Sequence, residues 1–390
     1  MSADLVSTEF VECFGHLPDF TVRSPGRVNL IGDHTDYTGG LVLPIAIDRS
    51  LLVGARIVDG TVLDVCSAHF DQRTRIPLDK PVDDPEYSWA PYVAGVAAVL
   101  KQRGIDVRGA QLFIGGDLPP GAGLGSSAAL EVGVATALLE ATRQRLSPVA
   151  LATLCRQVEH EHANSPCGIM DQLCCTSARA DHALLIDCRT MKTEHIPLKL
   201  DGAALVVIDT GVRHSIAEGE YARRRRECAA ALGAIMQADA SISSLRDIDE
   251  GQIGAYETCL DETLVRRVRH VVTENSRVSL ATDALWGGTL AAFGELMTES
   301  HASLNEDFDV SCDELNDLVS IALRVDGVLG ARMTGGGFGG CVVALASTDS
   351  VPDLVSAIHE LYDGRYDADA LVYPVQAVNA VGVLEGNRDA

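Results

Sequence analysis

The chain has 390 residues, 47% of them apolar and only 5% aromatic; it is long enough for two domains with sizeable cores and too apolar for a disordered chain. Its 31 Lys and Arg face 55 Asp and Glu, a net charge of −24, and so acidic a surface repels phosphate backbones and anionic membranes, which excludes both as partners. A small anionic ligand is still admissible if backbone N–H groups, Arg and metal ions form a local pocket for it.

The first residues, MSADLVSTEFVECF, carry Asp4, Glu9 and Glu12 with no basic lead, so no signal peptide is expected. No run approaches 18 apolar residues, so no membrane span is expected either. Extended, β-branched runs follow at 41–47 and 51–58. A helix is predicted over 90–103, ended by Gly104 as its C-cap. An extended run at 111–115 leads to a Gly-rich turn and a helix over 126–143. Ser147 and Pro148 read as the N-cap and first residue of a helix to 163. Further extended runs lie at 183–187, 204–209 and 341–346. Without a regular strand–helix alternation, the expected class is α+β, divided into 1–178 and 179–390. The basic run Arg223–Arg226 reads as a solvated helix face among Glu218, Glu220 and Glu227. His160 and His162 fall on different helix faces, which argues against a shared metal. The eleven Cys are scattered without a Cys-x-x-Cys pair, so reduced, mostly buried thiols in a cytoplasmic protein are expected. Nothing in the sequence sets the oligomeric state, and a monomer is the default.

Three segments carry chemistry. In residues 115–129, GGDLPPGAGLGSSAA, Gly115, Gly116, Gly121, Gly123 and Gly125 free the backbone to bring its N–H groups close to a ligand, and a helix N-terminus follows. That is a phosphate cradle. It has no Lys for a Walker A loop, and Ser126 stands where a dinucleotide fingerprint needs Gly. A second cluster, MTGGGFGGC over 333–341, does satisfy Gly-x-Gly-x-x-Gly, but CVVALA after it reads as a strand, so the dinucleotide-binding context fails. The third segment, SPGRVNLIGDHTDYTGG over 24–40, crowds Arg27, Asp33, His34 and Asp36 into a short span suited to hydroxyl recognition, although a plain polar turn fits the stretch equally well.

Taken together and in order, GRVNLIGDHTDYTGG, GLGSSAALEV and RMTGGGFGGC resemble the three signature motifs of the galactokinases. These sit within the family of small-molecule kinases that includes homoserine, mevalonate and phosphomevalonate kinases. YSWAPYVAGV, CGIMDQ and HSIAEGEYARRRREC extend the likeness over about residues 20 to 350. The resemblance implies a two-domain kinase fold with the active site in the cleft, and ATP-dependent phosphorylation of a sugar O1 hydroxyl assisted by Mg²⁺. It implies Asp171 as the proton acceptor and Arg27 as its partner. Ser127 and Glu159 are implied as Mg²⁺ ligands, and Asp33, His34, Thr35, Asp36, Gly168 and Tyr221 as sugar contacts. For the nucleotide it implies Ser67 and Trp89, with Gly121, Ala122, Gly123, Leu124, Gly125, Ser126 and Ser127 around the phosphates. By themselves, Trp89 also reads as core and Tyr221 as helix packing. Ser and Glu oxygens are hard donors that suit Mg²⁺, and phosphoryl transfer depends mainly on positioning and charge neutralisation.

One departure bears on the substrate: Asp33 stands where galactokinases usually carry Glu, a reach shorter by one methylene. A kinase for a related sugar, N-acetylgalactosamine or L-arabinose, is therefore the alternative. A silent sugar sensor is the more distant one, because Ser126, Ser127 and Asp171 are intact.

Overall fold

The computed structural model describes residues 3–79, 87–165, 167–213, 217–366 and 368–384. Helix α1 (Ala3–Phe14) leads to β1 (Phe20–Asn29), a short β2 (Leu41–Val42), the long β3 (Pro44–Ile57), β4 (Val62–Ser67) and β5 (Gln72–Pro77). Then come α2 (Ala90–Gln102), β6 (Ala110–Gly116), α3 (Ser126–Thr142), α4 (Pro148–Glu161), α5 (Met170–Ser177), β7 (His182–Asp187) and β8 (Lys192–Pro197). The rest is β9 (Ala203–Arg213), α6 (Ala217–Ala238), α7 (Glu262–Gly287), α8 (Leu290–Glu306), α9 (Asp313–Ala322), β10 (Val328–Thr334), β11 (Gly339–Ser347), α10 (Val351–Leu361), β12 (Leu371–Val375) and β13 (Gly382–Leu384).

The strands form a six-stranded sheet ordered β13-β1-β3-β6-β4-β5, a four-stranded sheet β10-β11-β9-β12 and a three-stranded sheet β2-β7-β8. This is the expected α+β class. The boundary expected after residue 178 falls between α5 and β7, with α2–α5 before it and α6–α10 after it. Pairings run across it: β7 with β2, β13 with β1 at the edge of the first sheet, and Ile47 with Ala377.

Two strands were expected across 41–58, broken at Asp48-Arg49-Ser50. The structure instead breaks at Leu43 and runs β3 through the polar residues, because β1 pairs with it on both sides, Arg27 with Ala46 and Pro25 with Ser50, leaving Ile47, Asp48 and Arg49 as an irregularity opposite Gly26. The helix starts follow their local signals. Ser147 Oγ accepts from the Ala150 N–H with Pro148 at the first position, and α3 begins at Ser126.

Alternation along the strands separates the cores. In β9, Leu205 and Val207 face the first core and Val206 and Ile208 the second; in β11, Cys341, Val343 and Leu345 oppose Val342 and Ala344. The four-stranded sheet is thus a wall buried on both faces, which explains why CVVALA is apolar without alternation. On the first sheet, Leu51, Val53, Leu112 and Ile114 meet the core under α2 and α3. Leu52 and Phe113 point the other way, under Val6 and Phe10 of α1.

The basic run needs correcting. Arg223 is exposed and pairs with Glu220 and Glu227, as a solvated face would. Arg224, however, is 2% exposed, donating to the carbonyls of Phe308 (2.7 Å) and Asp309 (2.5 Å), and Arg267 is equally buried against Glu227 (2.7 Å). These buried guanidinium groups fasten α6 and α7 to the loop before α9. The side chain of Glu218 lies outside the described residues. The thiols also differ from expectation: Cys155, Cys174, Cys175, Cys228 and Cys341 are buried, but Cys13, Cys66, Cys167, Cys188, Cys259 and Cys312 are half-buried.

Candidate active site

Two cavities meet where α3 begins. The larger, about 600 Å³, is lined by Arg27, Asp33, His34, Asp36, Gly168, Asp171 and Tyr221, with Gly335–Gly337 from the second half of the chain. The smaller, about 240 Å³, is lined by Ser67, Trp89, Gly121, Ser126, Leu118 and Leu130. Ser127 borders both.

At the junction, Arg27 grips Asp171 with two parallel hydrogen bonds, Nε to Oδ1 at 2.7 Å and Nη2 to Oδ2 at 2.6 Å. Such a fork fixes the carboxylate plane as well as its position. The remaining Arg27 nitrogen donates to the carbonyl of Gly123, and the Arg27 backbone N–H donates to Leu124. Arg27, at the register shift between β1 and β3, therefore ties the first turn of α5 to the Gly-rich loop through one side chain. Asp171 raises the proton affinity of the buried Arg27 guanidinium, overcoming desolvation. Gly125 explains itself here. It takes φ +73°, and a Cβ on it would sit 3.0 Å from Arg27 Cγ and 3.5 Å from Asp171 Oδ2. Within the loop, the expected phosphate contacts Ala122 and Leu124 are corrected: both are fully buried and line neither cavity, and their carbonyls accept from Cys341 Sγ and the Arg27 N–H, so they hold the loop in place. The loop is backed by the third motif, where Cys341 Sγ reaches the Ala122 carbonyl at 3.1 Å.

Glu159 on α4 is 3% exposed. Burial pushes its carboxyl up, against hydrogen bonds from Cys167 and Ser127 that pull it down, while Asp171 adds repulsion. Among the described residues no three His, Cys, Asp or Glu converge as a metal cage. A Ser oxygen and a carboxylate, with the other positions left to phosphate oxygens and water, is a donor set that fits Mg²⁺.

In the larger cavity the Asp36 carboxylate packs on Gly168, where any Cβ would lie 1.5 Å from Oδ2. Burial first, then the charge of Asp171, pushes Asp36 up to about 6. Asp33 is 2% exposed and ion-paired with Arg332 Nη2 at 2.7 Å, yet burial still raises its carboxyl. Behind it, Glu274 accepts from Gly32 N–H (2.9 Å) and Ser300 Oγ (2.6 Å), and cationic neighbours led by Arg277 hold it down at about 2.

One expected sugar contact, Thr35, is corrected. Thr35 is fully buried and does not line the cavity; its hydroxyl fastens the turn, lying 2.8 Å from the Gly32 carbonyl and 2.7 Å from that of Leu41. His34 does line the cavity, but both its nitrogens are engaged. A carbonyl can only accept, so Nε2 donates to Gly336 at 3.2 Å and Nδ1 accepts from the Tyr37 hydroxyl at 2.9 Å. Burial pushes His34 down to about 3, so the ring is neutral. It packs against Phe308 and Tyr221 and serves as a wall.

In the smaller cavity Trp89 is 5% exposed, stacks parallel to Tyr87 and donates Nε1–H to Gln72 at 2.8 Å. It belongs to the core and borders the cavity at once. Sequence reading missed Arg332 and Glu274. Arg332 carried a signal in standing directly before MTGGG, whereas Glu274 on α7 has none that spacing could reveal.

A glycine phosphate loop beside a polar chamber, joined by an arginine–carboxylate fork, is the architecture of a small-molecule kinase. The models of the GHMP kinases match at residues 91–179 for the N-terminal domain and 280–364 for the C-terminal domain. The galactokinase galactose-binding signature matches residues 8–57. Galactokinase from Chloroflexus aggregans is 44% identical over 349 residues, 90% of this chain and 89% of that one. Galactokinase from a Roseiflexus species is 40% identical over 378 residues, covering 97% and 96%. The crystal structure of Lactococcus lactis galactokinase complexed with galactose superposes with a TM-score of 0.94 at 34% identity, covering 98% of this chain and 99% of that one. A mevalonate kinase shares the fold at a TM-score of 0.66 and 19% identity. The chain belongs to the galactokinase family.

Proposed function

We propose that the chain transfers the γ-phosphate of ATP to the O1 hydroxyl of α-D-galactose, giving galactose 1-phosphate and ADP. The observation that carries this reading is the Arg27–Asp171 fork at the meeting point of the two cavities, tied to the Gly123 carbonyl. Galactose occupies the larger cavity with O1 toward Asp171, which accepts its hydrogen bond and takes the proton as the O–P bond forms. Asp36, Asp33, Tyr221 and the backbone at Gly168 receive the other hydroxyls, while His34 shapes the wall and Thr35 holds the turn. The nucleotide base lies by Ser67 and Trp89, with its phosphates along Gly121, Gly123, Gly125, Ser126 and Ser127 at the N-terminus of α3. Arg27 holds the acceptor carboxylate in register with the phosphates, and this alignment is most of what phosphoryl transfer requires. Ser127 and Glu159 would hold Mg²⁺, which when bound neutralises charge on the phosphate oxygens.

No helix among the described residues is long and apolar enough to cross a membrane. A cytoplasmic monomer completes the reading. Measuring MgATP-dependent ADP release with galactose, N-acetylgalactosamine, L-arabinose, glucose and mevalonate tests the assignment. Turnover dominated by galactose is expected. Preference for another sugar would make Asp33 the specificity determinant, and silence on all five would overturn the reading.

A further inference from the structure

Cys13 lies in the last turn of α1 and Cys66 on β4, 53 positions apart in sequence, and their sulfurs are in contact at 2.6 Å. Several features hold this juxtaposition. Val6 and Phe10 seat α1 on Leu52 and Phe113, with Cys13 and Cys66 packed at the margin of the same cluster. Arg73, opposite Cys66 in the β4–β5 register, donates Nη1–H to the Cys13 carbonyl at 3.0 Å and grips Asp64 with two further bonds of 2.8 Å. Its guanidinium also lies over the Phe14 ring at 4.8 Å. The end of α1 is thus strapped to the hairpin on both sides of the thiols. Both cysteines are half-buried, within reach of a small solute and sheltered from a large one. Neither belongs to the two cavities.

We propose that Cys13 and Cys66 are a reversible disulfide site, closed by exchange with a small disulfide and stapling α1 to the outer face of the first sheet. Burial and the contact with Cys13 push the Cys66 thiol up, and either thiol of the contact pair can open the exchange as its thiolate, Cys13 for example. The Cys13 thiolate displaces one thiol from the small disulfide and forms a mixed disulfide. Cys66 then loses its proton and attacks the Cys13 sulfur, releasing the second small thiol. Two protein thiols are oxidised and one small disulfide is reduced to two thiols, so electrons and protons balance. Side chains alternate along β4: Ser67 faces the smaller cavity, and Cys66 turns toward α1. The cross-link therefore acts on stability and leaves the nucleotide site intact.

The test treats the full-length protein with oxidised glutathione, blocks free thiols by alkylation and maps the peptides. One peptide pair joined through Cys13 and Cys66 is expected, absent after dithiothreitol and absent in Cys13→Ser and Cys66→Ser. The oxidised protein should melt about 5 °C higher than the reduced one, a difference missing in Cys13→Ser, with the KM for ATP unchanged within about twofold. Alkylation of both thiols, a mixed disulfide lasting on Cys13, or a link to any other cysteine would overturn the proposal. A lack of thermal gain in the linked protein would overturn its stapling role. The wild-type peptide map decides the chemistry even if a variant folds poorly.

Discussion

The two halves of the cleft are built on different principles. Around the larger cavity, the proposed sugar side, charged side chains hold one another and the backbone: Arg27 holds Asp171, Arg332 holds Asp33, and Glu274 holds the Gly32 N–H. The smaller cavity, the proposed nucleotide side, is lined by Gly121 just ahead of α3 and by an apolar wall that includes Trp89, itself packed into the core. Hydroxyl recognition needs many acceptors at fixed angles, and inside a protein these must be paired to be tolerated. Phosphate binding needs converging N–H groups, which any glycine-rich chain can supply. A change on the sugar side should therefore cost more than one on the nucleotide side.

The most severe test of that contrast is Asp171→Asn. Turnover should fall about 10³–10⁴-fold while calorimetry still detects galactose and nucleotide binding; near-normal turnover would assign the proton acceptor elsewhere. Next is Arg332→Met, which leaves Asp33 buried without its partner. A loss of about 3–5 kcal/mol in urea denaturation is expected, and an unchanged midpoint would mean that Asp33 is neutral in the folded protein. Gly168→Ala pushes the Asp36 carboxylate aside and should lower kcat/KM for galactose about 100-fold with little change in the KM for ATP. Equal losses for both substrates would blur the two-sided picture.

Acidity gives a milder probe. With Asp36 raised to about 6, kcat/KM for galactose should fall about tenfold per unit below that pH, and Asp36→Asn should abolish this limb. The sign for stability is opposite. The buried site favours protonated Asp36, so its contribution is complete below about pH 4 and is lost as pH rises through about 6. A flat acid limb for wild type would remove Asp36 from sugar binding. Smallest is Trp89→Phe, which deletes the hydrogen bond to Gln72. It should raise the KM for ATP about threefold and leave galactose untouched; a larger effect on galactose would refute the separation.

The legibility of the molecule divides along similar lines. The start of α4 was readable because Ser147 and Pro148 act locally, and α3 because its glycines and small residues lie next to each other. Arg27, Asp171 and the motif around Asp33 were readable through a family likeness, since no spacing rule joins residue 27 to residue 171. The continuity of β3 was not readable, because pairing with β1 overrides the polar break at Asp48-Arg49. Thr35 was expected among the sugar contacts, but the turn places the carbonyls of Gly32 and Leu41 around its hydroxyl, and Gly336 and Tyr37 engage the His34 ring that lines the cavity.

By itself, the sequence determined the acidic character, the α+β class, the glycine loops and the kinase family, all properties carried by composition or by residues close together in the chain. Only the tertiary structure decided that Arg332 and Glu274 stand behind the larger cavity, that Arg224 is buried, and that Cys13 touches Cys66. Those facts depend on contacts between residues tens to hundreds of positions apart. Such contacts form when apolar faces pack, and the local pattern around each partner does not encode them.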